Sequence, residues 1–188
     1  MRLDHVIYGT TDLDAAAARI GDQLGLAVHP GGRHDGQGSH NRLVPLGPGY
    51  LELLAIDDPD QAAASEIGSA LQAAISGDGL IAYAVRVDDI EPVAARNGTA
   101  VQSVSRDGMT AHVTGVLEAL REPFLPFFVS ADRPLEFEPG EGLTWVEVAG
   151  EAPRLRDWLG GDATLPVRVV DGAPAVRALG IGEREFRP

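Results

Sequence analysis

Residues 30–43, PGGRHDGQGSHNRL, put two histidines and four glycines into one short run. Such a run can cradle a phosphate, hold a metal or turn a corner. A phosphate cradle wants G-x-G-x-x-G entering a helix, or a lysine after the glycines. Here GQGSHNR leads into a strand-like segment, and the chain has no lysine. Arg33 and Arg42 have the forked donors that clamp an anion, and they are equally suited to pairing with surface acids. Asn41 suits donation to a substrate carbonyl or the capping of a turn. Two further residues carry chemistry. His5 sits among apolar residues in RLDHVIYG, and Glu52 does so in YLELLAID. A carboxylate buried on such a face costs several kcal/mol unless it is paired, hydrogen-bonded or coordinated.

Composition removes several reaction classes. The 188 residues include no cysteine, and all 15 basic residues are arginine. Disulfides, thiolate ligands, Schiff bases and the Walker lysine are therefore excluded. A formal net charge of −13 makes nucleic acid a poor partner. No G-x-S-x-G elbow is present. No apolar run reaches the roughly 18 residues of a membrane span. Asp4 and His5 stand where a signal peptide would have its apolar core, so a cytoplasmic protein is expected.

Periodicity supplies the elements that must position these groups. Residues 2–9 read as a strand with Leu3, His5 and Ile7 on one face. Thr11 or Asp12 can cap a helix running to Gly25. AVHPGG, HNRLVPLG and YLELLAID read as three more strands, the last with Tyr50, Glu52, Leu54 and Ile56 on one face. Residues 60–76 read as one connecting helix. Residues 79–132 then repeat the order: strand LIAYAVRVDD, a short helix ending at Asn97-Gly98, strand AVQSVSRDG, a long strand MTAHVTGVLEAL, and strand LPFFVSAD. Aligning Asp57 with Asp132 sets Glu52 against Phe127, and the matching alignment of the first strands sets His5 against Ala82. The fold class is α+β: a single domain of two βαβββ modules, 1–57 and 79–132, joined by a connector at 58–78. Residues 133–188 form a β-α-β-β extension that lengthens the sheet or covers an edge, with two strands around an Asp171-Gly172 turn.

With His5 in LDHV and Glu52 in YLELLAID, the paired modules resemble the vicinal oxygen chelate superfamily. The run GGRHDGQGSHNRLVPLGPGYLELLAID, followed by LPFFV, more narrowly resembles its glyoxalase-like domain family. The resemblance covers residues 2 to about 132. It implies curled mixed sheets around a cleft, with a divalent metal held by His5 and Glu52 and chelated by adjacent substrate oxygens. It also implies two more ligands from the second module, where Ala82 and Phe127 stand and neither can bind a metal. A third ligand is then His40, with His112 or water as rivals, giving a two-His, one-carboxylate set suited to Zn, Mn, Fe or Ni.

Under this resemblance Glu52 is the proton-moving group, and His34, Asn41, Arg42, Tyr50, Ala82 and Phe127 line the substrate site. His29 is a surface residue. The expected activity is that of a metal-dependent lyase, isomerase or dioxygenase on a small oxygen-rich molecule. The alternative is a metal-free module of the bleomycin-resistance type that binds a drug or metabolite. Either form is compatible with a monomer or a homodimer.

Overall fold

The computed structural model describes residues 1–106, 109–131, 135, 137–161 and 164–188. Asp132, which the repeat alignment sets against Asp57, and Arg133, where the extension is expected to begin, lie outside these residues.

Strand β1 (Arg2–Gly9) leads into helix α1 (Leu13–Leu24). Asp12 caps this helix by accepting the Ala15 N–H, and Gly25 ends it at φ 64°. β2 (His29–His34), β3 (Ser39–Gly47) and β4 (Gly49–Ile56) complete the first module. The expected single connector is two helices, α2 (Pro59–Ala63) and α3 (Glu66–Ala74). Ser65 divides them, because its hydroxyl accepts the Gly68 N–H and starts the second.

The second module runs β5 (Gly79–Arg86), α4 (Glu91–Asn97), β6 (Val101–Arg106), β7 (Met109–Thr114), α5 (Val116–Arg121) and β8 (Phe127–Ser130). The long strand expected over 109–120 is thus half strand and half helix. Gly115, at φ 77°, ends the strand, and VLEALR turns back over the sheet. Val116, Leu117, Ala119 and Leu120 bury there against Val113, Phe127 and Val129.

These eight strands form one mixed sheet in the order β2-β3-β4-β1-β5-β8-β7-β6. The order is a palindrome about the β1–β5 pair, and the register makes the symmetry exact to the residue. Val6 pairs with Tyr83, while Ile7 pairs with Ala82 and His5 with Ala84. Exchanging the two strands maps this pattern onto itself if His5 corresponds to Ala82. The parallel partners then agree: Ile7 faces Glu52 as Ala84 faces Phe127. The sheet curls until its two outer edges meet, where the Asp35 N–H donates to the Ser105 carbonyl at 3.2 Å.

Among the described residues, no strand after the second module lengthens this sheet. β9 (Leu143–Ala149), β10 (Val167–Val170), β11 (Ala175–Ile181) and β12 (Arg184–Phe186) make a separate sheet in the order β10-β9-β11-β12. β10 and β11 flank β9 rather than pairing with each other. Helix α6 (Ala152–Trp158) is the crossover that places β10 parallel to β9. Val146, Val148, Leu179 and Ile181 pack with Val6, Tyr8, Tyr83 and Val85 in the main core. One face of the large sheet is thereby closed, and its concave face is left to the site.

Candidate functional site

The concave face holds a cleft with about 980 Å³ of empty space, its open mouth included. Most of its wall is apolar. Ile7, Leu54, Val113 and Phe127 come from the sheet, with Ile67 and Leu71 from α3. Across this apolar surface runs one polar row, and each member is placed by a local feature of its strand.

A bulge in β1 starts the row. Leu3 pairs with Val85 and His5 with Ala84, so Asp4 is an extra residue. A bulge re-aims the side chains around it. Asp4 and His5 both line the cleft, and Leu3, expected on the His5 face, packs into the opposite core. The Asp4 Oδ1 lies 2.7 Å from His5 Nδ1, and Arg86 Nε donates to Oδ2. Burial raises the Asp4 carboxyl, but the His5 hydrogen bond and the charges of His5 and Arg86 outweigh it. Its pKa therefore falls below the ordinary value. Ionised Asp4 can only accept, so Nδ1 carries the proton and Nε2 is turned into the cleft. Tyr50 stacks on the imidazole at 4.6 Å, and Phe127 meets it edge-on at 5.4 Å.

Glu52 is next, on β4. Its Oε2 lies 3.5 Å from His5 Nε2, and both residues are 6% exposed. Asn41 Nδ2 donates to Oε1. The glycines of the loop explain why the amide points that way. β2 carries an extra residue between Pro30 and Arg33. There the Gly32 N–H donates to Asn41 Oδ1 at 2.9 Å, leaving the nitrogen for Glu52. A Cβ on Gly31 would lie 2.0 Å from Asn41 Oδ1, so only glycine lets the backbone come this close. The loop neither cradles phosphate nor merely turns. It fixes an amide against a carboxylate. His34 ends the row, with Nδ1 2.9 Å from Ser39 Oγ and Nε2 3.6 Å from Glu52 Oε1.

The structure thus brings together His5, His34, Asn41, Tyr50, Glu52 and Phe127. Ala82 packs in the apolar cluster behind them. Two expected site residues are elsewhere. His40 pairs with Ala55, and Arg42 with Leu53. Both are one residue out of phase with Asn41 and so lie on the other face of β3. Arg42 bonds Asp14 there. His112 has the same fate on β7; it is exposed and bonds Ser103 at 3.3 Å. His29 is exposed, as expected.

Sequence reasoning missed Asp4 and Arg86. Arg86 follows Ala82 and Ala84 at period two on one strand face, a signal that was available. Asp4 depends on a bulge that alternation cannot show.

Over residues 3–162 the sequence matches the glyoxalase-like domain family. The chain belongs to that family. No curated protein matches it. Among solved structures, a hypothetical protein from Staphylococcus aureus shares the fold at TM-score 0.75 and 15% identity. The match covers 95% of this chain and 89% of that one. A hypothetical protein from Bacillus halodurans aligns at TM-score 0.51 and 18% identity, over 72% of this chain and 96% of its own. A variant methylmalonyl-CoA epimerase from Streptomyces coelicolor, in complex with 2-nitronate-propionyl-CoA, aligns at TM-score 0.52 and 22% identity. It covers 73% of this chain and 99% of that one.

The metal that the resemblance implies can be tested against this glyoxalase-like cleft. One half of a shell is plausible: an imidazole oriented by a carboxylate faces a second carboxylate. The other half is not. The symmetry-related positions are Ala82 and Phe127, and His40 and His112 lie on the outer face. Among the described residues, no group of three or more His, Asp and Glu side chains is arranged to hold a metal ion. Of the expected ligands His5, His40 and Glu52, only His5 and Glu52 meet, and His34 Nε2 lies 3.6 Å from Glu52 Oε1.

Proposed function

We propose that this glyoxalase-like protein is a proton-transfer enzyme, of isomerase or lyase type. Its substrate would be a small molecule with an apolar body and adjacent oxygens. The observation that carries this reading is the buried chain Asp4–His5–Glu52 at the polar row of an otherwise apolar cleft. His5 Nδ1 is committed to Asp4, so Nε2 and Glu52 Oε2 face each other with room for one proton between them. An acid and a base sharing one proton suit removal of a proton from carbon next to a carbonyl.

The step balances within the site. Glu52 Oε2 takes the proton as the C–H bond breaks. The electron pair moves onto the carbonyl oxygen, and His5, carrying on Nε2 the proton it shares with Glu52 as well as the Nδ1 proton held by Asp4, donates Nε2–H to the oxyanion. Return of the proton gives an isomer; loss of a neighbouring leaving group gives an alkene. Asn41 holds Oε1 and leaves Oε2 for the substrate. Asp4 holds the Nδ1 proton and the ring orientation that this step needs. The apolar wall keeps water away and strengthens each of these interactions.

Among the described residues no helix is long and apolar enough to cross a membrane. A cytoplasmic small-molecule enzyme remains part of the proposal.

The test is deuterium incorporation from D2O into 2-oxo acids and 1,3-dicarbonyl compounds, followed by proton NMR. The expected result is exchange above buffer with the wild type and its loss in Glu52→Gln. If no compound exchanges, and ligands bind equally to His5→Ala and Glu52→Ala, the reading falls to that of a binding module.

A further inference from the structure

We infer that the cleft selects ligands carrying a carboxylate, and that Arg86 receives it. The inference rests on the cleft being the ligand site and deepens that reading by naming the substrate class. Arg86 lines the cleft at the end of the polar row, and its side chain is 12% exposed. Only its Nε is used, in the bond to Asp4; among the described residues its two terminal nitrogens donate to nothing. Four N–H donors on a planar, permanently charged group are therefore left for a ligand at this end of the cleft. That geometry matches a carboxylate in bidentate fashion.

A second observation points the same way. The direct cross-strand partner of Arg86 is Arg2, so the two guanidinium-bearing residues share a face. Arg2 is exposed and makes no ion pair or hydrogen bond with the described residues. Like charges placed directly opposite are unfavourable in a sheet. Asp4, two residues after Arg2 at the bulge, divides its carboxylate between Arg86 and His5. Two cations thus meet one divided anion, and a ligand carboxylate would complete the set. The same ligand would lay its apolar body over Ile7, Leu54 and Phe127, towards Glu52.

Isothermal titration of the full chain with octanoate and with octanamide, at equal ionic strength, tests this. Octanoate should bind the wild type at least tenfold more tightly than octanamide. Arg86→Met should bring the two within about twofold, and Arg86→Lys should keep part of the preference. Because Arg86→Met leaves Asp4 short of a cation, the Asp4→Asn/Arg86→Met double variant serves as a folded control and should also show no preference. Equal binding of acid and amide by the wild type, binding of neither, or a preference that survives Arg86→Met overturns the inference. Binding requires no proton transfer. A carboxylate preference without deuterium exchange would defeat the enzymatic reading alone, and exchange without the preference would defeat this one alone.

Discussion

In the first half of the large sheet, the cleft-facing positions carry His5, His34, Asn41, Tyr50 and Glu52. Following the observed register through the twofold, the positions equivalent to His5, His34, Asn41 and Glu52 carry Ala82, Val104, Val113 and Phe127 in the second half. Each of these four polar groups has an apolar counterpart. The backbone path is shared between the halves, and the burial chemistry is not. The Glu52 carboxylate must be compensated locally, and the first half carries His5 and Asn41, placed by the bulge at Asp4 and the close approach at Gly31, while β5 contributes Arg86 beside Asp4. The second half instead covers its face with α5 and becomes the dry wall against which the polar row works.

The largest effect that would sharpen this asymmetry is on catalysis. Glu52→Gln keeps the shape and the Asn41 contact but removes the base. A loss of 10²- to 10⁴-fold in deuterium exchange is expected, the usual size for a positioned base. Phe127→Glu, the equivalent change in the other half, tries to break it. There the new carboxylate has no Asn41 counterpart and meets Val113. It should destabilise the chain by about 3–5 kcal/mol, as an uncompensated buried charge does. Thermal melts of the two variants would read the contrast. If Phe127→Glu melts like the wild type, the second half is less dry than described.

The same local features decide what could be read from sequence. The two modules, the positions of His5 and Glu52, and the correspondence of Ala82 and Phe127 were legible because alternation and repeat order survive in the residues. The third-ligand assignment to His40 was not, because proximity in sequence to Glu52 says nothing about sheet face. A one-residue phase shift sends His40 outward and Asn41 inward. Asp4 stayed hidden because a bulge suspends alternation at the one place that matters. Helix α5 hid inside an apolar run that fits strand and helix alike, and Gly115 was the only break.

Asp4→Asn probes the row at its anchor. It leaves Arg86 buried beside a neutral amide and frees the His5 tautomer, and about 2–3 kcal/mol of stability should be lost near neutral pH. The pH dependence has a definite sign. The folded pKa of Asp4 is depressed, so its contribution is complete above the unfolded value near 3.8. It is lost as pH falls through the lower folded value. The gap between wild type and Asp4→Asn in urea titrations should therefore narrow below about pH 4. A gap that widens on acidification would mean that Asp4 is not held as an ion.

The smallest expected effect belongs to the outer face. His40 and His112 occupy equivalent positions in the two halves, facing Ala55 and Ser130, and neither lines the cleft. If the asymmetry is confined to the concave side, His40→Gln and His112→Gln should behave alike. Each should change stability by less than about 0.5 kcal/mol and leave deuterium exchange untouched. His34→Gln, six residues from the His40 that its loop shares, should instead slow exchange, because its Nε2 lies 3.6 Å from Glu52 Oε1. The comparison turns on strand phase alone. Two histidines of one hairpin, similar in composition and neighbours in sequence, should separate completely in effect. A deficit in His40→Gln matching that of His34→Gln would mean that β3 presents its other face to the substrate.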